Sequence, residues 1–201
     1  GYDETRAAVA ARLANDSGRP VKKEHVIMTC GAGGALNVVL KTILNPGEEV
    51  IILTPYFVEY KFYIDNHGGV PVEASCNMET FQIDIDAIAD AVNAKTRAII
   101  INSPNNPTGV IYPKETLDAL GTMLKEKEQE LKSQIYVISD EPYARLSYDM
   151  TVPPVFASIA NSVVVTSHSK DLALPGERIG YLAANPEMAD VGRFVEGAIF
   201  C

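Results

Sequence analysis

Ser162-Val163-Val164-Val165-Thr166-Ser167-His168-Ser169-Lys170, followed by Leu174-Pro175-Gly176-Glu177-Arg178-Ile179-Gly180, is the stretch that decides how this chain reads. The run of β-branched residues predicts a buried strand, which puts Lys170 just past its carboxyl end, where open α/β sheets place their ligands. A lysine alone is ordinarily a solvated surface residue. Ser167 and Ser169 before it and Arg178 after it change that reading. Hydroxyls and a guanidinium make a cradle for phosphate, beside an amine able to form a Schiff base.

The same organisation extends outward. Asn102-Ser103-Pro104-Asn105-Asn106-Pro107-Thr108-Gly109 follows the apolar run Ala98-Ile99-Ile100-Ile101, and Ser139-Asp140-Glu141-Pro142-Tyr143 follows Ile135-Tyr136-Val137-Ile138. Periodicity predicts strands near 26–29, 50–53, 70–73, 97–102, 135–139, 163–166 and 179–183. It predicts helices over 35–44, 57–66, 85–92 and 114–132, and another from 186 onward. Strands alternating with helices imply an α/β fold, a three-layer α/β/α sandwich around a mainly parallel seven-stranded sheet. No linker divides the chain, so residues 1–201 read as one domain. The charges at Lys125, Glu126, Lys127, Glu128 and Glu130 read as a solvated helix face.

Of the 201 residues, 47% are hydrophobic, enough for one substantial core. The net charge of −9 argues against nucleic acid or an anionic membrane surface as partner, because polyanions are repelled at long range. Any phosphate has to be held locally. Cys30, Cys76 and Cys201 show neither C-x-x-C spacing nor an even count, which supports no metal site and no disulfide framework and makes a reducing cytoplasm the default reading. No apolar run approaches the length of a membrane span.

Within Thr29-Cys30-Gly31-Ala32-Gly33-Gly34-Ala35-Leu36 small residues allow close backbone approach to an anion at a helix N-terminus; a tight turn needing glycine explains them equally well. Phe57, after Pro55-Tyr56, is by itself more readily a core aromatic than a binding group, and Asn106 before Pro107 is a natural turn former. His168 is expected to point away from Lys170 on an extended backbone and to be structural. His25 and His67 have no evident catalytic company.

The Asn-Pro-Thr-Gly turn, the Asp-x-x-Tyr segment and the Ser-x-Ser-Lys segment, in that order, resemble the fold-type I, class I and II aminotransferases that depend on pyridoxal 5′-phosphate. The resemblance covers nearly the whole chain but only the large domain of that family, so the chain reads as lacking an N-terminal arm and a small C-terminal domain. It implies that Lys170 carries the cofactor as a Schiff base and then acts as general base. It implies that Asp140 pairs with the pyridine nitrogen, that Asn106 and Tyr143 donate to the ring oxygen, and that Phe57 stacks on the ring, with Tyr56 the substitute. Gly31, Ala32, Gly33, Ser167, Ser169 and Arg178 would hold the phosphate, although many relatives carry a hydroxyl residue where this chain has Gly33.

The activity implied is amino-group transfer between an L-amino acid and a 2-oxo acid by a cytoplasmic homodimer. The residues that grip the substrate carboxylate, and a phosphate-contacting tyrosine from the partner subunit, would lie outside the chain. Ser167 to Arg178 also resemble carbon–sulfur lyases and 1-aminocyclopropane-1-carboxylate synthases of the same fold. A pyridoxal-phosphate-binding regulatory domain without turnover is a third reading.

Overall fold

The structure, a computed structural model, describes all residues from Gly1 to Cys201. Seven strands form one sheet: β1 (Val26–Cys30), β2 (Glu49–Thr54), β3 (Val70–Ser75), β4 (Thr96–Asn102), β5 (Tyr136–Asp140), β6 (Ser162–Ser167) and β7 (Ile179–Ala184). Their spatial order is β1-β7-β6-β5-β4-β2-β3. The pairs β2·β3, β2·β4, β4·β5 and β5·β6 are parallel, and β7 alone runs against both neighbours, β6 and β1. All seven strands expected from periodicity are present, in a mainly parallel sheet.

Alternate residues along each central strand supply two separate cores, because successive side chains leave a strand on opposite faces. Ile99 and Ile101 of β4, Val137 of β5 and Val164 of β6 pack on one face. That layer comprises α1 (Asp3–Ser17), α4 (Ile85–Ala91), α5 (Lys114–Leu131) and the short α6 (Val155–Ser158), through residues such as Leu13, Ile88, Leu120 and Phe156. Ala98, Ile100, Ile138, Val163 and Val165 face the opposite layer, built from α2 (Gly31–Ile43), α3 (Glu59–Asn66) and α8 (Val191–Ile199). The two cores make this a three-layer α/β/α sandwich. No helix is long and apolar enough to cross a membrane.

Several boundaries differ from the sequence-based expectation, each for a local reason. α1 has no counterpart among the expected helices; of its fifteen residues only Ala10 and Leu13 are buried, too narrow a stripe for periodicity to register. α3 begins at Glu59, so Phe57 lies in the approach to the helix, and α8 begins at Val191, after a turn that follows Pro186. Lys132, in the left-handed region at φ 50°, ends α5. Lys125, Glu126 and Glu130 on that helix are exposed as expected, but Glu128 accepts from the Ile135 amide at 2.8 Å and from Asn161 Nδ2 at 3.0 Å and so fastens the start of β5.

Candidate active site

Asn102, Asp140 and Ser167 are the last residues of β4, β5 and β6, and all three open on one pocket of about 260 Å³. Parallel strands that end together leave their final side chains and following turns at a common rim, which is where α/β sheets bind ligands. Of the residues singled out in the sequence, Ala32, Gly33, Phe57, Asn106, Asp140, Tyr143, Ser167, Ser169, Lys170 and Arg178 line this pocket. Gly31 lies just behind it: a Cβ there would sit 2.8 Å from Arg178 Nη2, and its φ is +71°. The positive φ favours glycine at 31, and its lack of a side chain lets the Arg178 guanidinium close over the start of α2.

Asp140 is the electrostatic centre. Its carboxyl is buried; Oδ2 accepts from the Tyr60 hydroxyl at 2.6 Å, whereas Oδ1 is buried with no protein partner. Burial raises its pKa to about 6, against which the Tyr60 bond works in the other direction. A buried acceptor without a donor costs about 1–3 kcal/mol, so this oxygen is one that a ligand N–H would satisfy. Glu141 gives no substitute for it. That carboxyl accepts from Ser139 Oγ at 2.6 Å and faces a different cavity, beside Arg12 and Arg145, where burial lifts its pKa to about 7.

The turn after β4 is set by side chains of the strand itself. Asn102 Nδ2 donates to the Asp140 carbonyl at 2.7 Å, and Asn102 Oδ1 accepts from the Asn106 amide at 2.6 Å. One asparagine thus holds the ends of β4 and β5 together and places Asn106 at the rim. Asn105 Oδ1 takes the Thr108 amide and hydroxyl at 3.2 and 3.0 Å, and Gly109 closes the turn at φ +75°. Tyr143 reaches the pocket from the turn after β5, immediately before a 3-10 turn at Ala144–Leu146.

Lys170 stands on α7 (His168–Asp171), a single helical turn directly after β6, with its side chain exposed in the pocket. His168 departs from expectation in its geometry, since the backbone there is helical, not extended. Its Nδ1 faces Asp171 at 3.2 Å, on the side away from Lys170. Asp171, nearly buried, also pairs with Arg145 Nη1 at 3.0 Å, so the turn bearing Lys170 is tied to the 3-10 turn that follows Tyr143. Arg178 is held at φ +52°, an uncommon conformation for a non-glycine residue, with Nη1 on the Pro175 carbonyl at 3.2 Å.

The structure separates the two candidate aromatics. Phe57 lines the pocket and meets Tyr60 edge-on at 5.7 Å, while Tyr56 donates to Glu73 at 2.6 Å, away from the pocket. His67 contacts Asn37 and His25 contacts Lys22, both outside the pocket. Tyr60, Tyr63, Glu59 and Asn102 also belong to the site and were not singled out. Tyr60 falls in the apolar stripe of α3 and reads locally as core; Asn102 ends the apolar run of β4, and nothing local marks it as a brace.

The class I and II aminotransferase family model matches residues 1–199. A probable aspartate/prephenate aminotransferase of Thermus aquaticus is 39% identical over 198 residues, covering 95% of this chain and 50% of the relative. An amino transferase crystal structure from Eubacterium rectale superposes with a TM-score of 0.96 at 40% identity, covering 98% of this chain and 50% of that one. An alanine aminotransferase from Pyrococcus furiosus superposes with a TM-score of 0.90 at 29% identity, again over 98% and 50%. The chain spans about half the length of the curated relatives it matches.

Proposed function

The chain belongs to the class I and II aminotransferases, and from that membership we propose that it forms the cofactor-binding part of an enzyme that moves an amino group between an L-amino acid and a 2-oxo acid. The cofactor proposed is pyridoxal 5′-phosphate. The observation that carries this reading is Asp140 Oδ1, a buried carboxylate oxygen with no protein donor, in the pocket that also holds the Lys170 amine and the Arg178 guanidinium. These groups fit a flat, protonated heteroaromatic ring bearing an aldehyde at one side and a phosphate at another.

When bound, pyridoxal 5′-phosphate supplies an aldehyde that links to amines and a ring that accepts electron density from the adjacent carbon. Asp140 would accept the ring N–H and keep that nitrogen protonated. Asn106 and Tyr143 would donate to the ring oxygen, and Phe57 would supply an aromatic face for the ring. Arg178, Ser167, Ser169 and the amides of Gly31, Ala32 and Gly33 hold the phosphate, the guanidinium offsetting its charge and the start of α2 presenting free N–H groups. The Lys170 amine would anchor the cofactor through its aldehyde and would serve as the base for the proton at the substrate's α-carbon. In the whole protein, sequence beyond this chain and a second subunit complete the site.

Borohydride reduction of the full-length, cofactor-loaded protein followed by peptide mass mapping tests this. The pyridoxyl group is expected on Lys170; a label on Lys22 or Lys41 would remove Lys170 from its role. Product analysis with a panel of amino donors then separates amino transfer, which yields a 2-oxo acid and an aminated acceptor, from elimination.

A further inference from the structure

Tyr63 reaches the pocket from α3 and meets the first turn of α2 there. Its hydroxyl oxygen lies 2.9 Å from the point that a Cβ on residue 33 would occupy, so the phenol fills the space left by the missing side chain of Gly33. Ser167, Ser169 and Arg178 line the same pocket, which makes this a hydroxyl facing a helix N-terminus, two serines and a guanidinium. A group of that composition favours an anion. Tyr63 donates to the Glu59 carboxylate one helical turn earlier. Burial and that carboxylate hold the phenol well above its usual pKa, so it remains an O–H donor at neutral pH. Glu59 is exposed, and water can replace Tyr63 as its partner at little cost.

We propose that the Tyr63 hydroxyl is a further ligand of the bound phosphate, standing in for a side chain at Gly33, with Glu59 the rival acceptor that holds its proton until the anion arrives. The inference rests on the cofactor assignment above. A phosphate dianion neutralised by Arg178 is a stronger acceptor in this pocket than an exposed carboxylate, which gives the proton reason to switch. Glu59 also places a like charge beside the anion, opposing its binding.

The test compares pyridoxal 5′-phosphate with pyridoxal, the same ring and aldehyde without phosphate, by absorbance titration of the full-length protein. Tyr63→Phe is expected to weaken the phosphorylated form roughly tenfold or more, as loss of a hydrogen bond to a charged group does. The affinity for pyridoxal should change by less than about twofold, the scale of a substitution that touches nothing else. Adding Gly33→Ser to Tyr63→Phe returns a hydroxyl from the other side of the same space and should recover affinity for the phosphorylated form, whereas Glu59→Gln alone should tighten it. Equal weakening of both ligands, or of neither, by Tyr63→Phe would overturn the inference while leaving the Lys170 label intact. A wild-type protein with no preference for the phosphorylated form would instead overturn the cofactor assignment.

Discussion

The Tyr60 hydroxyl holds Asp140 by one oxygen, Oδ2, at 2.6 Å and leaves the other, Oδ1, buried and unpaired. Both residues are almost wholly buried, so the carboxyl is fixed in orientation before any ligand binds. Its pKa, raised to about 6, means that burial disfavours the ionised form in the ligand-free fold, which a ligand N–H would stabilise. Preorganisation of this kind puts the energetic cost on the free protein and recovers it on binding.

A pH dependence of stability follows for the cofactor-free protein. The folded Asp140 carboxyl titrates at about 6 against an ordinary value near 4, so between these pH values the folded state holds more protons than the unfolded state. Stability therefore falls as pH rises through that window, by about 2–3 kcal/mol, and stays lowered above it. Denaturant midpoints collected across pH 4 to 7 should show this decline, and Asp140→Asn should flatten the part that belongs to this residue.

Tyr60→Phe removes the bond that lowers the Asp140 pKa, leaving burial unopposed. The carboxyl should titrate above about 6, the stability loss should extend to correspondingly higher pH, and the free protein at neutral pH should be less stable by about 1–2 kcal/mol. A midpoint that moves equally at low and neutral pH would show that only packing had been lost.

Asp140→Ala in the full-length enzyme should leave the cofactor attached at Lys170 but lower kcat by about two to four orders of magnitude, matching the loss of about 3–5 kcal/mol expected when one partner of a buried charge pair is removed. Asp140→Glu, which keeps the charge, should be milder. Reductive labelling alongside single-turnover rates checks both halves. Because the Glu141 carboxyl faces a separate cavity, Glu141→Gln should not reproduce the kinetic defect.

Gly31→Ala places a Cβ 2.8 Å from Arg178 Nη2 on a backbone at φ +71°. The left-handed conformation costs an alanine about 1–2 kcal/mol, and the guanidinium has to move aside. Lower thermal stability together with weaker binding of pyridoxal 5′-phosphate relative to pyridoxal is the expected pair of outcomes; lost stability with unchanged discrimination would separate Arg178 from the phosphate.

Asp171→Ala frees Arg145 and His168 at once and unfastens the turn that carries Lys170. A loss of about 1 kcal/mol is expected, because the Arg145 side chain is half exposed and water can replace its partner. Hydrogen exchange should quicken at residues 168–172 before it does in the sheet.

The layering of this protein was legible in the sequence because it is a local property. Alternation at Ala98, Ile99, Ile100 and Ile101 states which side chains enter which core, and the polar residues that end each apolar run mark the rim where Asn106, Asp140, Ser167 and Lys170 stand. Where the local signal was thin, as in α1 with its two buried residues, the element went unread. Only the tertiary structure decided that β7 runs against its neighbours, that the Arg178 guanidinium closes over Gly31, that Tyr60 lies under Asp140 from eighty residues away, and that the Tyr63 hydroxyl fills the space at Gly33. Each joins separate elements of the chain: strand to strand for β7, the residue before β7 to α2 for Arg178, α3 to β5 for Tyr60, and α3 to α2 for Tyr63. The fit between two such elements is a property of their joint surface that no periodicity along either one encodes.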